Sequence, residues 1–219
     1  DEEREEGRPL RQAPCYDRLK ELGAVFGQKF GWERANWFAP TKELQKDDWS
    51  FRRSNWFEHV GNECKNVSEN AGLLDMSAFA KCRISGPGAE EFLDNLVANK
   101  IPKKNGRVNL CHALNTAGGV HSEFTIAKEK ENSFYLVSAG AFQRLDHDWI
   151  HKWMPKDGSV TYENLTNSMG VLVLAGPKSR DILSKITRTD LSNENFPWLS
   201  SKKINVGLAP SIAMRMNFV

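Results

Sequence analysis

The residues whose types and spacing could do chemistry gather in one stretch of this chain, LNTAGGVHSEFTIAK, from Leu114 to Lys128. A diglycine, Gly118–Gly119, leads into a run where Val120, Ser122, Phe124 and Ile126 alternate with His121, Glu123, Thr125 and Ala127. That two-residue period belongs to a strand, with each set on its own face. Glu123 is then a single carboxylate between a histidine and a threonine, just past a turn. Either it points into water, or it faces a pocket. His112 and His121 flank the turn, and either could act as a base. His147 and His151 stand at i and i+4 on a predicted helix beside Asp146 and Asp148. That spacing can hold a metal, but the glutamate of the zinc-protease motif is missing, and no metal is expected. There is no Ser–His–Asp signature, and neither a G-x-G-x-x-G nor a Walker loop.

The elements that must position these residues alternate without strict order. CYDRLKELGAVFGQKF places Leu19, Leu22, Val25 and Phe26 at helical spacing until Gly27 and Gly31 break it. Trp32, Trp37, Trp49 and Trp56 follow closely, a density expected of a connecting segment packed on another domain. Asn55 is placed to cap a helix with Phe57, Val60, Cys64 and Val67 along one face. RISGPGAEEFLDNL and VLAGPKSRDILSKI are each strand, Gly-Pro, helix. Glycine supplies the turn, and proline near the first helical position removes no hydrogen bond. Their helical faces read Ala89, Phe92, Leu93 and Leu96, then Ile182, Leu183 and Ile186. Between the repeats, VNLCHALN and VHSEFTIAK form a hairpin across Thr116–Gly119, and FYLVS adds a third strand. AFQRLDHDWIHKWM is a helix with Phe142, Leu145, Trp149 and Trp153 along one face. Strands near SVTYENL and GVLVLAG follow, and KKINVGLAPSIAMRMNF reads as two strands joined at Gly207–Pro210. KEKEN and PKDG read as solvated loops. The class is α+β, with a duplicated strand–helix unit.

Composition narrows the function. Lys plus Arg is 30 against 28 for Asp plus Glu, without a basic stripe, so nucleic acid is not an expected partner. No run approaches the roughly 20 apolar residues of a membrane span, and no signal-peptide pattern opens the chain. Cys15, Cys64, Cys82 and Cys111 lack metal-ligand spacing and read as reduced, mostly buried thiols in a reducing compartment. The charged residues 1–9 are expected to be flexible. The chain starts without methionine and stops inside an expected strand, which reads as a piece of a longer protein.

Taken together, GLLDMSAFAKCRISGPGAEEFLDNL, LNTAGGVHSEFTIA and LAGPKSRDIL resemble, in that order, the folate-binding fold of the glycine-cleavage T-protein (aminomethyltransferase) family. The likeness is closer to the carboxy-terminal half of dimethylglycine and sarcosine dehydrogenases. RPLRQAPCYDRLKELGAVFGQKFGWERANWFAP resembles the segment joining their flavin and folate halves, and LSNENFPWL also resembles that group. The resemblance implies a division into residues 1–50, the linker or end of the middle domain, and 51–219, the first part of the folate-binding domain. It implies tetrahydrofolate as cofactor, with FAD in the parent protein outside this chain. It implies a small methylated amine as substrate, oxidised to an iminium whose carbon is captured as methylenetetrahydrofolate.

Glu123 is carried over as the catalytic carboxylate, where many aminomethyltransferases have Asp and the dimethylglycine-type branch has Glu. Such a carboxylate can hold the attacking nitrogen, offset its developing positive charge and take its proton. A partly desolvated site would make it a better base. Phe79, Leu110, Val137 and Ala139 are carried over as pocket wall. Phe79 stands where the family commonly has Met, and Leu110 where it often has Tyr. The family's pterin-binding glutamate, in G-E-L-G-W/Y-E, would fall after Val219, so weak folate binding and no turnover are expected of this chain alone. The missing flavin half and the rest of the folate domain are the implied partners, in bacterial cytoplasm or mitochondrial matrix. The alternatives are a non-catalytic folate-binding or assembly module of the same fold, and a folate-dependent demethylase of another methylated osmolyte.

Overall fold

The computed structural model describes residues 4–216, so Asn217 and Phe218 of the last expected strand lie outside the described residues. In chain order the elements are α1 (Tyr16–Glu21), β1 (Ala24–Lys29), β2 (Trp32–Phe38), α2 (Phe57–Glu69), β3 (Gly72–Asp75), β4 (Ala80–Ser85) and α3 (Ala89–Leu96). Then come β5 (Val108–Leu114), β6 (Val120–Lys130), β7 (Ser133–Ser138), α4 (Gln143–Trp153), β8 (Thr161–Asn164), β9 (Leu172–Ala175), α5 (Ser179–Ser184), β10 (Ser200–Val206) and β11 (Ala209–Arg215). Helices and antiparallel sheets are mixed, as the α+β reading expects. Two compact units divide the chain, each discontinuous in sequence. One holds the residues up to Ala78 with Gly170–Ser179; the other holds Phe79–Met169 and the residues from Arg180 onward.

In the first unit the expected opening helix stops at Glu21, and Val25 and Phe26 lie in β1. The reason is Gly23. It sits at φ +91° against the Ala39 carbonyl, where a side chain would collide, and it turns the chain into the β1–β2 hairpin. Trp37, 2% exposed, is a core residue of this unit: it packs with Val25 and Ala39, against Trp56 and Val60. Its indole N–H donates to Asp47, 2.8 Å away. Trp32 is buried as well, whereas Trp49 is 74% exposed. Asn55 does not cap α2. Its side-chain oxygen accepts from the Asp48 amide, and no side chain caps the helix. Phe57 and Cys64 on that helix are exposed, and its inward residues, Val60 and Val67, are only partly covered.

The second unit is built on a five-stranded antiparallel sheet in the order β5-β6-β7-β4-β8. One face buries Cys82, Ile84, Cys111, Ala113, Phe124, Ile126, Phe134 and Leu136. Onto it pack Ala89, Phe92, Leu93 and Leu96 of α3, the expected face, and Ile150 of α4. Each buried Leu, Ile or Phe side chain among them contributes about 1.5–3 kcal/mol by leaving water. Of the expected face of α4 only Trp149 packs against the core. Phe142, Leu145 and Trp153 are substantially exposed, and the helix buries Asp146 with Ile150. Asp146 finds its partners on the sheet: Ser122 Oγ donates to one carboxylate oxygen at 2.5 Å and Ser138 Oγ to the other at 2.6 Å. Burial raises the Asp146 pKa, and the two hydroxyls oppose that rise.

KEKEN is not a solvated loop. β6 runs through Lys130, Lys128 is buried against Glu90 at 2.6 Å, and Glu129 pairs with Arg83 at 2.6 Å. Burial would raise the Glu129 pKa, but Arg83 holds it below the ordinary carboxylate range. All four cysteines carry free thiols; Cys82 and Cys111 are buried, Cys15 is half-buried and Cys64 is exposed. The closing hairpin turns at Gly207–Leu208, and Pro210 lies within β11.

Both Gly-Pro units form as expected, β4 into α3 and β9 into α5. Their glycines are required by close backbone approach. Gly86, at φ +116°, meets the Ser159 carbonyl, and Gly176, at φ +106°, meets the carbonyls of Val67 and Asn70. The second helix departs from expectation: Ile182 is exposed, and Ile186 lies past the end of α5 and is exposed too.

Gly176→Ala is therefore expected to destabilise the chain by more than about 2 kcal/mol, through a disfavoured φ plus collision. Gly118→Ala, with a positive φ but open space around it, should cost about 1 kcal/mol. Urea unfolding midpoints compare the two. For Asp146 the folded pKa is raised, so its contribution is most favourable below the ordinary value of 3.8 and is lost as pH rises through the folded value. Relative to Asp146→Asn, the unsubstituted chain should lose stability progressively upward from about pH 4. A stability difference flat from pH 4 to 8 would contradict the burial of a raised carboxyl.

Candidate functional site

The site is built on β5 and β6. Their hairpin closes at Asn115–Gly119, where the Asn115 side-chain oxygen accepts from the amides of Ala117 and Gly119, each 3.0 Å away. Gly118 takes φ +83° in this turn. Leu114 pairs with Val120, but Ala113 pairs with Ser122, so His121 is an extra residue, a β-bulge. His121 therefore does not join Glu123 on the sheet face. Its ring stacks on Trp149 of α4 with centroids 4.0 Å apart.

The bulge shifts every later pair by one residue and sets His112 directly opposite Glu123. His112 Nε2 lies 3.0 Å from Glu123 Oε2. Asn99 fixes the histidine from behind: its side-chain oxygen accepts the His112 backbone N–H at 2.9 Å and lies 3.3 Å from Nδ1. Glu123 is thus a partnered carboxylate, with Oε2 held and Oε1 open. Its side chain is 60% exposed, and that of His112 32%. Glu123 is thus a solvent-accessible carboxylate among the described residues. The small cavity here, about large enough for one water, lies on the helix side among Cys82, Ser138, Asp146, Tyr162 and Thr166.

Two of the other expected residues, Leu110 and Val137, fall on the same sheet face as Glu123. Leu110 pairs with Thr125, Thr125 with Val137, and Val137 with Lys81, which makes one cross-strand row. His112 and Glu123 belong to the adjacent row. Ala139 lies just past Ser138, the end of β7 and beyond the last β6–β7 pair, and Phe79 lies just before Ala80, the start of β4. Leu110 and Val137 thus occupy the row next to Glu123, and Ala139 and Phe79 adjoin the ends of paired strands at Ser138–Ala80. Leu110 is 49% exposed, Ala139 is exposed, and Phe79, Thr125 and Val137 are half-buried. The arrangement is an open shelf with apolar side chains and one carboxylate–imidazole pair.

At Thr125–Val137 the β6–β7 ladder ends, and the strands part. Asp146 bridges them there from the helix side, through Ser122 and Ser138, the neighbours of Glu123 and Ala139. Further along β4, Arg83 pairs with Glu129 at 2.6 Å and with Glu163 at 2.7 Å. Sequence reasoning placed Thr125 on the face of Glu123, but it missed Asn99 and the pairing of His112 with Glu123. Counting outward from the turn would have opposed His112 to Ser122, because nothing in the residue types marks His121 as a bulge.

The comparisons with known proteins agree with this fold. Residues 15–219 match the family described as the GCVT N-terminal domain. The chain is 38% identical over 220 residues to human mitochondrial dimethylglycine dehydrogenase, covering 99% of this chain and 25% of that one. It is 34% identical over 211 residues to the mouse mitochondrial pyruvate dehydrogenase phosphatase regulatory subunit, covering 94% of this chain and 24% of that one. The crystal structure of glycine cleavage system aminomethyltransferase T from Bartonella henselae superposes with a TM-score of 0.72 at 21% identity, over 90% of this chain and 48% of that one. The chain thus spans about a quarter of the length of the curated relatives it matches, and with a family match over nearly all its residues it belongs to the GCVT N-terminal domain family.

Proposed function

We propose that this chain is part of a folate-dependent domain that captures a one-carbon unit, within a larger flavin-dependent dehydrogenase of dimethylglycine or sarcosine type. Residues 1–50 would join its flavin half, and residues 51–219 would begin the folate-binding domain. Family membership and the relationship to dimethylglycine dehydrogenase support the setting. The observation that carries the chemistry is the Glu123–His112 pair at the edge of the apolar shelf.

The residues present fit a reduced pterin. Leu110, Val137, Ala139 and Phe79 offer apolar surface for a flat ring, and Glu123 offers an acceptor for its N–H groups. Tetrahydrofolate, when bound, supplies the nitrogen that takes up the carbon. The chain's own residues do the rest. Glu123 keeps Oε1 open for a hydrogen bond from that nitrogen and offsets positive charge developing there. It can then hold the released proton on its carboxyl group. His112 fixes the other oxygen, so the carboxylate meets its ligand with one orientation already chosen. The compartment would be the mitochondrial matrix or the bacterial cytoplasm, since relatives of both origins exist.

In the full-length enzyme that carries this chain, Glu123→Gln is expected to leave amine oxidation running while carbon capture falls at least about tenfold. His112→Gln should lower capture less, because it frees the carboxylate without removing it. Formaldehyde and methylenetetrahydrofolate are measured separately. Capture unchanged in Glu123→Gln would remove Glu123 from the chemistry, whereas no capture by the unsubstituted enzyme would favour the non-catalytic module, a reading to which the likeness to a regulatory subunit also lends support.

A further inference from the structure

β5 is the outer strand of its sheet, and the connector between α3 and β5 covers its edge at His112. The Ala98 N–H donates to the His112 carbonyl oxygen at 2.9 Å, and the Asn99 side-chain oxygen accepts the His112 N–H at 2.9 Å. Asn99 Oδ1 thus stands where a neighbouring strand would put a backbone carbonyl. That bond also settles which end of the amide faces the ring, because an NH₂ group there would oppose an N–H donor. The same oxygen lies 3.3 Å from His112 Nδ1, while Glu123 Oε2 lies 3.0 Å from Nε2. Both ring nitrogens therefore face acceptors when the Glu123 carboxyl is ionised. A neutral imidazole carries one N–H and an imidazolium two. In the neutral ring one nitrogen lone pair is left against an oxygen; with a proton on each nitrogen, both contacts are hydrogen bonds. A ring turned over about its bond to Cβ would meet both oxygens with carbon atoms.

We propose that Asn99 is a positioning residue for carbon capture: its one oxygen orients the His112 ring and favours a proton on Nδ1, and the ring in turn holds Glu123. This role rests on the reading of Glu123 as the capturing carboxylate. With Nδ1–H on Asn99, the proton on Nε2 goes to Glu123 Oε2 in a charge-assisted bond, and Oε1 is left as the open oxygen. His112 is then a cation beside the carboxylate and not a second base. The proton released by the folate nitrogen has Glu123 as its acceptor within the pair. His112 alone could sit at either histidine orientation; Asn99, tied to the backbone of the residue whose ring it touches, selects one.

The test is a cycle of substitutions in the full-length enzyme, with capture measured at saturating tetrahydrofolate beside amine oxidation. Asn99→Leu is expected to lower the capture kcat as far as His112→Gln does, with amine oxidation still running. Asn99 is exposed, so water takes over the His112 backbone N–H and the edge of β5 survives. In the His112→Gln background, Asn99→Leu should change capture by less than about twofold, because a residue acting through the ring has nothing left to act on. Asn99→Asp, which keeps the acceptor oxygen, should hold capture within about twofold of the unsubstituted enzyme. Asn109→Ala loosens the same connector by removing its bond to the Lys100 carbonyl oxygen, and should leave capture unchanged. In the 219-residue chain with nitrogen-15-labelled histidine, the share of His112 protonated at Nδ1 should fall in Asn99→Leu at one fixed neutral pH. Where Glu123→Gln does lower capture, unchanged capture in Asn99→Leu, or a loss that multiplies with that of His112→Gln, overturns the role of Asn99. Should Glu123→Gln leave capture intact, the reading of Glu123 fails instead. The Nδ1 signal then decides what Asn99 does to the ring, and an unchanged share overturns that as well.

Discussion

One extra residue in β6 governs the geometry of this domain. The bulge at His121 lets the chain leave a tight, Asn115-stapled turn and still enter the sheet in a register that suits both faces. Ser122, Phe124 and Ile126 then turn to the helices, and Glu123 and Thr125 turn away. A one-residue slip would reverse both sets, putting a carboxylate among Leu93, Leu96 and Phe134 and two large apolar side chains in water. The register is therefore enforced by the core, and the site inherits it. Glu123 meets His112 because Phe124 and Ile126 must be buried.

The same economy applies to the charges inside the domain. Asp146 is buried where an apolar residue would pack more simply, yet both its oxygens receive hydroxyl hydrogen bonds. It connects two strands at the place where their backbone ladder gives out, just behind Glu123 and Ala139. Arg83 does comparable work at the other end of the open face, where it holds Glu129 and Glu163 together. A buried charge without such partners would cost several kcal/mol. With them, each charge adds a directional tie between strands whose register the core already sets.

How much of this was legible in the residues follows from the range of the interactions. The alternation along β6 and the 3.6-residue period of α3 are local, and both were readable. So were the Gly-Pro turns, because a glycine needed for positive φ announces itself by type. The buried face of α4 was not. Its direction is set by Ser122 and Ser138, distant in sequence, so Asp146 looked like a solvent residue and Phe142, Leu145 and Trp153 like a core stripe. KEKEN looked soluble because its partners, Arg83 and Glu90, lie roughly forty residues away. The early helix was overextended because Gly23, the residue that ends it, does so through a contact with Ala39 across the hairpin. Of the candidate site, Glu123 was found by resemblance; His112 was noticed, but its pairing with Glu123 depends on a bulge that no residue type signals.

The choice of glutamate at position 123 has a physical reading in this geometry. The family resemblance implies aspartate as the common alternative there. In this chain the carboxylate must reach across to β5 and meet the far nitrogen of His112, while His112 is held back by Asn99. Directly opposed residues of an antiparallel pair have Cβ atoms about 4.5–5.5 Å apart. A side chain one methylene shorter would fall roughly 1.5 Å short of the same nitrogen unless the strand moved. The longer side chain and the opposing histidine are thus matched parts of one arrangement. The pair also gives an exposed carboxylate something that burial would otherwise supply, a fixed direction. An unpartnered glutamate in water samples many rotamers, and ordering it on a ligand costs up to about 1.5–2 kcal/mol. With Oε2 already bound to His112, much of that loss is taken before any ligand arrives, so the open shelf can present Oε1 in one place without enclosing it.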